Sequence, residues 1–263
     1  MAKKDKEKIR LGGMALPNGV LVHGPHAWAC AIRHDDGTIE VASARKRLQA
    51  SRIQSPLLRG PARLAEALLL LPQIKAKLPS AKLPMENSRT LGTMLGAAAV
   101  VRGLRESRLR PVPRELLSSI VSIAPAVMAL RSGELAAYHG AEHISIGTYE
   151  HGKRATKEHE RCGGHLVGPL LVTSAVGNVL AGLAPERHRR QAQAVAQIGA
   201  VGAATELFGW MTRHPEHPVA RALGKPGHEL QHRFSTAEPS AEQLEVAEAA
   251  LAACLELEHA ATN

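Results

Sequence analysis

Aromatic residues are nearly missing from the 263-residue chain, which holds two Trp, two Tyr and two Phe. That scarcity argues against a large sheet core rich in aromatic and β-branched side chains. It leaves Ala, Leu and Val to fill the interior, which suits close-packed helices. It also removes the stacking platforms on which single-stranded nucleic acid is usually held. Cysteine is scarce too: Cys30, Cys162 and Cys254 cannot all pair within one chain. A chain of this length buries a sizeable core without staples, so a reducing compartment is expected. The opening MAKKDKEKIR is basic but lacks the apolar stretch of a signal peptide, so secretion is not expected. What remains is ordinary for a globular protein, with 44% hydrophobic and 22% charged residues.

Acidic residues are outnumbered, 24 against 33 Lys and Arg, for a formal charge of +9. The excess is knotted: Lys3, Lys4, Lys6, Lys8 and Arg10, then Arg45, Lys46 and Arg47, then Arg187, Arg189 and Arg190. Such knots are most simply solvated surface charge. They are also the footprint of an anionic membrane surface or of ribosomal RNA. Long apolar runs are few. Cys162 to Pro185 is free of charge, but its Gly, Pro, Asn, Ser, Thr and His content weakens it as a span. The shorter charge-free runs, Leu116 to Leu130 and Gln191 to Thr205, read as core helices.

The fold class expected is mainly α with a small N-terminal antiparallel β region, an α+β arrangement whose helical core carries the motif described below. Residues 1–10 form a basic tail, 11–55 a Gly-rich β-hairpin region, and 56–263 a helical domain with a candidate metal site at 134–165. Ala27 to Arg33 and Thr38 to Ala44 flank Asp36-Gly37, a hairpin signal. Gly12, Gly13, Gly19 and Gly24 before them fit a sheet corner. Helices are expected over Arg59–Ala76, Asn87–Ser107, Arg114–Arg131, Glu134–His151, Leu166–Leu183 and Glu186–Met211. A last helix opens on a capping box, Ser240 with Gln243, and its apolar face is Leu244, Ala247, Leu251 and Leu255.

Histidines, 14 in all, cluster between Tyr138 and His165. The sharpest piece is YHGAEH, an H-x-x-E-H in which His139 and His143 leave one helix face a turn apart. Two imidazoles so placed can meet one divalent metal, zinc being the first choice, at about 2.0–2.1 Å. Glu142 beside them is the candidate catalytic base, placed to orient or deprotonate water, as in inverted zinc peptidases. Further ligands are sought in Glu150, His159 and Cys162. Glu150 shares the face of His143 but lies about 10 Å along a straight helix, too far to share an ion. Either the helix breaks near Gly147, or a turn after Gly152 folds His159 and Cys162 back over it. Arg161 is a structural ion pair for Glu142 or Glu150, or a contact for an anionic substrate. The plainer alternative is a buried polar network of histidines satisfied by backbone and carboxylates.

YHGAEH, Tyr149-Glu150 and His159-x-Arg161-Cys162-Gly163 together resemble the YqhQ-like family of bacterial proteins. The likeness runs nearly end to end. Gly12 to Pro25, GGMALPNGVLVHGP, is similar to the family opening GGQAVxEGVMMRGP. Ser55 to Glu66 resembles its PFLRG…E stretch, and Pro226 to Glu248 its PG…LQ…T…EP close. The resemblance implies a metal-dependent enzyme without an assigned substrate. It also implies that His139, Glu142, His143, Glu150, His159 and Cys162 form the family's metal site. Departures lie at Met14, Asn18 and His23, where the family has Gln, Glu and Arg, and at Ile144, which replaces a Lys. Relatives commonly look like multi-pass membrane proteins, so the resemblance puts a cytoplasmic membrane location beside the cytoplasmic one.

Two functions follow. One is a metal-dependent hydrolase of peptide, acyl or amide bonds, with Glu142 as base. The other is a non-catalytic, membrane- or ribosome-associated scaffold in which the same residues form a structural metal site or a metal-free core.

Overall fold

The computed structural model describes residues 8–83, 86, 88–130 and 133–262. Lys3, Lys4 and Lys6 of the basic tail, and the expected helix ends at Asn87 and Arg131, lie outside them.

Four antiparallel strands open the fold in the order β1-β2-β3-β4: Gly12–Leu16, Gly19–His23, Ala27–Arg33 and Ile39–Arg45. The Gly-rich opening is therefore itself a hairpin, with Leu16 paired to Gly19 across Pro17-Asn18. Asn18 holds that turn in place: its Nδ2 donates to Ser80 O at 3.1 Å and its Oδ1 accepts from Lys82 N at 2.9 Å. The second hairpin turns at the Asp-Gly, with Gly37 at φ 88°.

The apolar run AWACAI in β3 does not alternate with polar residues because both faces of the sheet are covered. Trp28, Cys30 and Ile32 point to one side, with Leu16 and Leu21, against Leu70, Ile74 and Leu78. Ala29 and Ala31 point to the other, with Val20 and Val22, against Leu135, Tyr138, Ala141 and Ile146 and against Val246, Ala247, Ala250 and Cys254.

Nine helices follow among the described residues. They are α1 (Arg59–Leu68), α2 (Leu70–Lys77), α3 (Ser88–Glu106), α4 (Pro111–Leu130), α5 (Gly133–His151), α6 (Val167–Gly182), α7 (Arg189–Arg213), α8 (Pro218–Leu230) and α9 (Ala241–Thr262). Where the pattern predicts one helix over Arg59–Ala76, there are two. Pro72 has no N–H for the Leu68 carbonyl and crowds it, so the helix restarts at Leu70.

The capping box of α9 is present: Ser240 N donates to Gln243 Oε1 at 2.9 Å and Gln243 N to Ser240 Oγ at 3.2 Å. Its buried face is shifted from the leucines to Val246, Ala247, Ala250 and Cys254. These small side chains let α9 approach the alanines of β3, whereas Leu244, Leu251 and Leu255 are only half-buried. The fold is thus a sheet between α2 and the α5/α9 pair, with the remaining helices stacked outward: α3 on α4, α4 on α6, α6 on α7. Among the described residues one helical stretch, Gly163–Gly182, is long and apolar enough to cross a membrane.

Candidate metal centre

The centre of α5 is the most buried helix segment among the described residues, continuous from Leu135 to Gly147 apart from half-buried His139. It runs unbroken to His151, so Glu150 stays two turns from His143 and the chain reverses only after it, at Gly152 (φ 69°). His139 and His143 leave the same face, their ring centres 4.3 Å apart.

Two segments close over that face because glycine makes room for them. A Cβ at Gly140 would stand 2.1 Å from the Ala237 carbonyl oxygen, and one at Gly147 would stand 2.7 Å from Ala155 Cβ. Position 140 thereby admits the backbone that follows α8. There the chain passes through a single π turn, Gln231–Ser235, and the Ala237 N–H donates to Ala136 O at 2.9 Å. Position 147 admits the loop after α5.

Each closing segment presents a carbonyl to one imidazole. His139 Nδ1 lies 2.7 Å from Ser235 O and His143 Nδ1 lies 2.6 Å from Lys157 O. A carbonyl only accepts, so each Nδ1 carries the proton and each Nε2 keeps its lone pair. The same returning loop brings Cys162, whose Sγ is 3.5 Å from His139 Nε2. Ligand-type atoms of His139, His143 and Cys162 all lie within 4.8 Å of one another. That is the spacing from which two imidazoles and a thiolate could hold one metal after small side-chain adjustments.

The other candidates lie around this trio. Glu142 is buried, its Oε2 4.0 Å from His139 Nε2, and Gly13 of β1 packs against its carboxyl. His159 is tied on both sides, Nε2 to Glu150 at 3.0 Å and Nδ1 to the Arg161 N–H at 3.3 Å. Arg161 pairs with Glu150. Glu150, His159 and Arg161 are therefore satisfied by one another, and the trio is completed from the returning loop by Cys162.

Burial governs the protonation of the group. It depresses the His139 imidazole, and with the neighbouring histidines takes His143 down to about 2, so both rings are neutral. It pushes the Cys162 thiol up to about 12 and the Glu142 carboxyl up to about 7, against a small opposing pull from His159. Neutral rings with a buried thiol and carboxyl beside them form a site whose charge balance a cation would change.

Sequence reasoning passed over Ser235 and Lys157, which act through backbone carbonyls and leave no mark in side-chain identity. It also passed over Gln231, fully buried, whose Oε1 accepts from His159 N at 2.9 Å while its Nε2 donates to His165 Nδ1, also at 2.9 Å. Its one sequence signal is the Leu230-Gln231 pair of the closing segment.

Comparison with known proteins places the candidate ligands inside one matched region. A family model described as "Protein of unknown function (DUF1385)" matches residues 116–257, which include the entire histidine cluster. The "Uncharacterized protein YqhQ" of Bacillus subtilis (strain 168) is 29% identical over 295 residues, covering 93% of this chain and 92% of that protein. No solved structure matches the chain.

Proposed function

The chain belongs to the DUF1385 family, and from that premise we propose that it is a metal-dependent hydrolase using His139, His143 and Cys162 as metal ligands. The observation that carries the proposal is the convergence of the three ligand-type atoms within 4.8 Å, both imidazoles being fixed with Nε2 toward the group. The donor chemistry fits a divalent ion, zinc first, because thiolate and imidazole together are its preferred set. A thiolate at Cys162 and a carboxylate at Glu142 would also offset its two charges.

A bound divalent ion supplies Lewis-acid polarisation and an acidified water ligand. The protein's own part is to handle the proton. Glu142 is buried and poised near neutrality, where it accepts a proton from water and returns it to a leaving group. Glu150 holds Arg161 and His159, which keeps the loop carrying Cys162 folded back on α5.

The test is metal content by mass spectrometry of the purified chain, wild type beside His143→Ala. About one equivalent more metal in wild type than in the variant is expected. Absence of metal from both, under conditions that do not strip it, overturns the proposal.

A second reading is favoured by a separate observation. Leu95 of α3, Ile120 of α4, Leu180 of α6 and Ile198 of α7 are each more than half exposed, so each of the outer helices leaves a large apolar side chain uncovered. In this reading the outer helices lie in the cytoplasmic membrane and the site serves a scaffold. Arg187, Arg189 and Arg190 then meet anionic lipid or ribosomal RNA. Salt-sensitive co-sedimentation with vesicles or ribosomes supports it, and loss from both fractions at low salt removes it.

A further inference from the structure

A second histidine group stands outside the site already described. His228-Glu229-Leu230-Gln231-His232 is an H-E-x-x-H placed across the end of α8 and the start of the π turn. Both imidazoles are exposed, and their rings lie nearly parallel at 15° with centres 6.1 Å apart. Two imidazoles on one tetrahedral metal hold their ring centres about 5 Å apart, given metal–nitrogen bonds of about 2.0–2.1 Å. A modest rotation of two solvent-facing side chains covers that difference.

The neighbours fix what these rings offer. Glu158 Oε1 accepts from His232 Nδ1 at 2.7 Å, so Nε2 of His232 holds the lone pair. A carboxylate on the far nitrogen of a histidine is the usual means of orienting a metal ligand and raising its basicity. Glu229, which in a metallopeptidase helix is the base, is instead held by Arg233 Nε at 2.8 Å. The group is equipped to bind an ion, not to turn over a substrate.

We propose that His228 and His232, the latter oriented by Glu158, form a second, solvent-facing site for a divalent transition metal. Borderline ions that favour imidazole, such as zinc, nickel, copper and cobalt, are its ligand class, with water filling the open positions. This site uses no residue of the buried trio and stands whether or not the buried trio binds metal.

Cobalt(II) is the probe that separates the two sites. Metal-stripped full-length chain is titrated with it while equilibrium dialysis counts bound ion. A thiolate-to-metal charge-transfer band reports the buried Cys162 site, and the imidazole site adds bound ion without adding to that band. Wild type is expected to take up about two equivalents, and His228→Ala and His232→Gln one fewer each, with the thiolate band unchanged. Wild-type stoichiometry in both variants overturns the second site and leaves the buried one untouched. Loss of uptake in both variants with no thiolate band in wild type upholds the second site while removing the buried one. His188→Ala, at an exposed histidine elsewhere, controls for scattered weak binding.

Discussion

His139 Nδ1 meets the carbonyl oxygen of Ser235 at 2.7 Å, across 96 residues of sequence. The contact exists because the backbone after α8 crosses α5 directly over Gly140. It fixes the imidazole tautomer, and with it which nitrogen faces Cys162.

Gly140→Ala tests that dependence. The added Cβ would stand 2.1 Å from the Ala237 oxygen, a backbone atom, so the crossing segment has to move. Overpacking of this kind costs about 1–3 kcal/mol. Because Ser235 moves with the segment, metal affinity should fall by about 10–100-fold, the usual consequence of losing an outer-shell partner. Chemical denaturation and metal competition measured together check it. Lost stability with unchanged affinity would separate Ser235 from the site.

Glu142→Gln removes the proton acceptor and keeps the shape. Hydrolase turnover, once a substrate is found by screening, should drop by about 10²–10⁴-fold, the range of a lost general base. Metal content should stay near that of wild type, since Glu142 lies outside the trio. Retained turnover would assign the proton to another group. Lost metal would make Glu142 a ligand.

Local signals carried the sequence reading a long way. Asp36-Gly37 marked its hairpin, Ser240 and Gln243 marked the start of α9, and H-x-x-E-H marked the helix on which the site is built. The failures share one cause, which is that the deciding partner is remote or is backbone. No periodicity in α9 distinguishes a leucine face from the alanine face that β3 requires, because the choice rests on how closely the sheet approaches. The carbonyls of Ser235 and Lys157 are invisible in residue identity. The choice of Glu150 over Glu142 as the partner of Arg161, both open in the sequence, depends on where the loop after Gly152 lands. Pro226, two residues before the H-E-x-x-H at 228–232, argues against a helix through that motif, yet α8 runs on to Leu230.

Glu258 near the end of α9 locks that helix to the sheet. It is 1% exposed, and Oε1 accepts from His26 N at 2.7 Å and Ala27 N at 2.6 Å, while His26 Nδ1 lies 3.1 Å from Oε2. Glu258→Ala leaves two backbone donors without this acceptor at the start of β3. Hydrogen bonds to a charged group contribute about 1.5–3 kcal/mol each, so a loss of roughly 3 kcal/mol or more is expected. Glu258→Gln, which keeps an acceptor oxygen, should lose less. Urea melts of the two variants give the comparison, and equal losses would show that the full carboxylate, not packing or a single acceptor oxygen, holds the helix to the sheet.

Acid sensitivity should trace in part to His23, at the end of β2. Its Nδ1 accepts from Lys46 Nζ at 3.1 Å, and Lys46 is itself buried against Glu66 Oε1 at 2.9 Å. Burial first, and then the Lys46 charge, bring the His23 imidazole down to about 4 from an ordinary 6.5. The folded ring therefore refuses a proton that the unfolded chain accepts below about 6.5. Its contribution to stability is complete above that pH and drains away as pH falls toward 4. His139 and His143 act in the same direction, while Glu142, raised to about 7, acts in the opposite one. His23→Gln keeps an acceptor for Lys46 but cannot be protonated. The metal-free variant should lose melting temperature more slowly than wild type between pH 7 and 5, without becoming insensitive to pH. Parallel curves would mean that the folded protein protonates His23 as readily as the unfolded chain does, and that Lys46 turns away from it when it does.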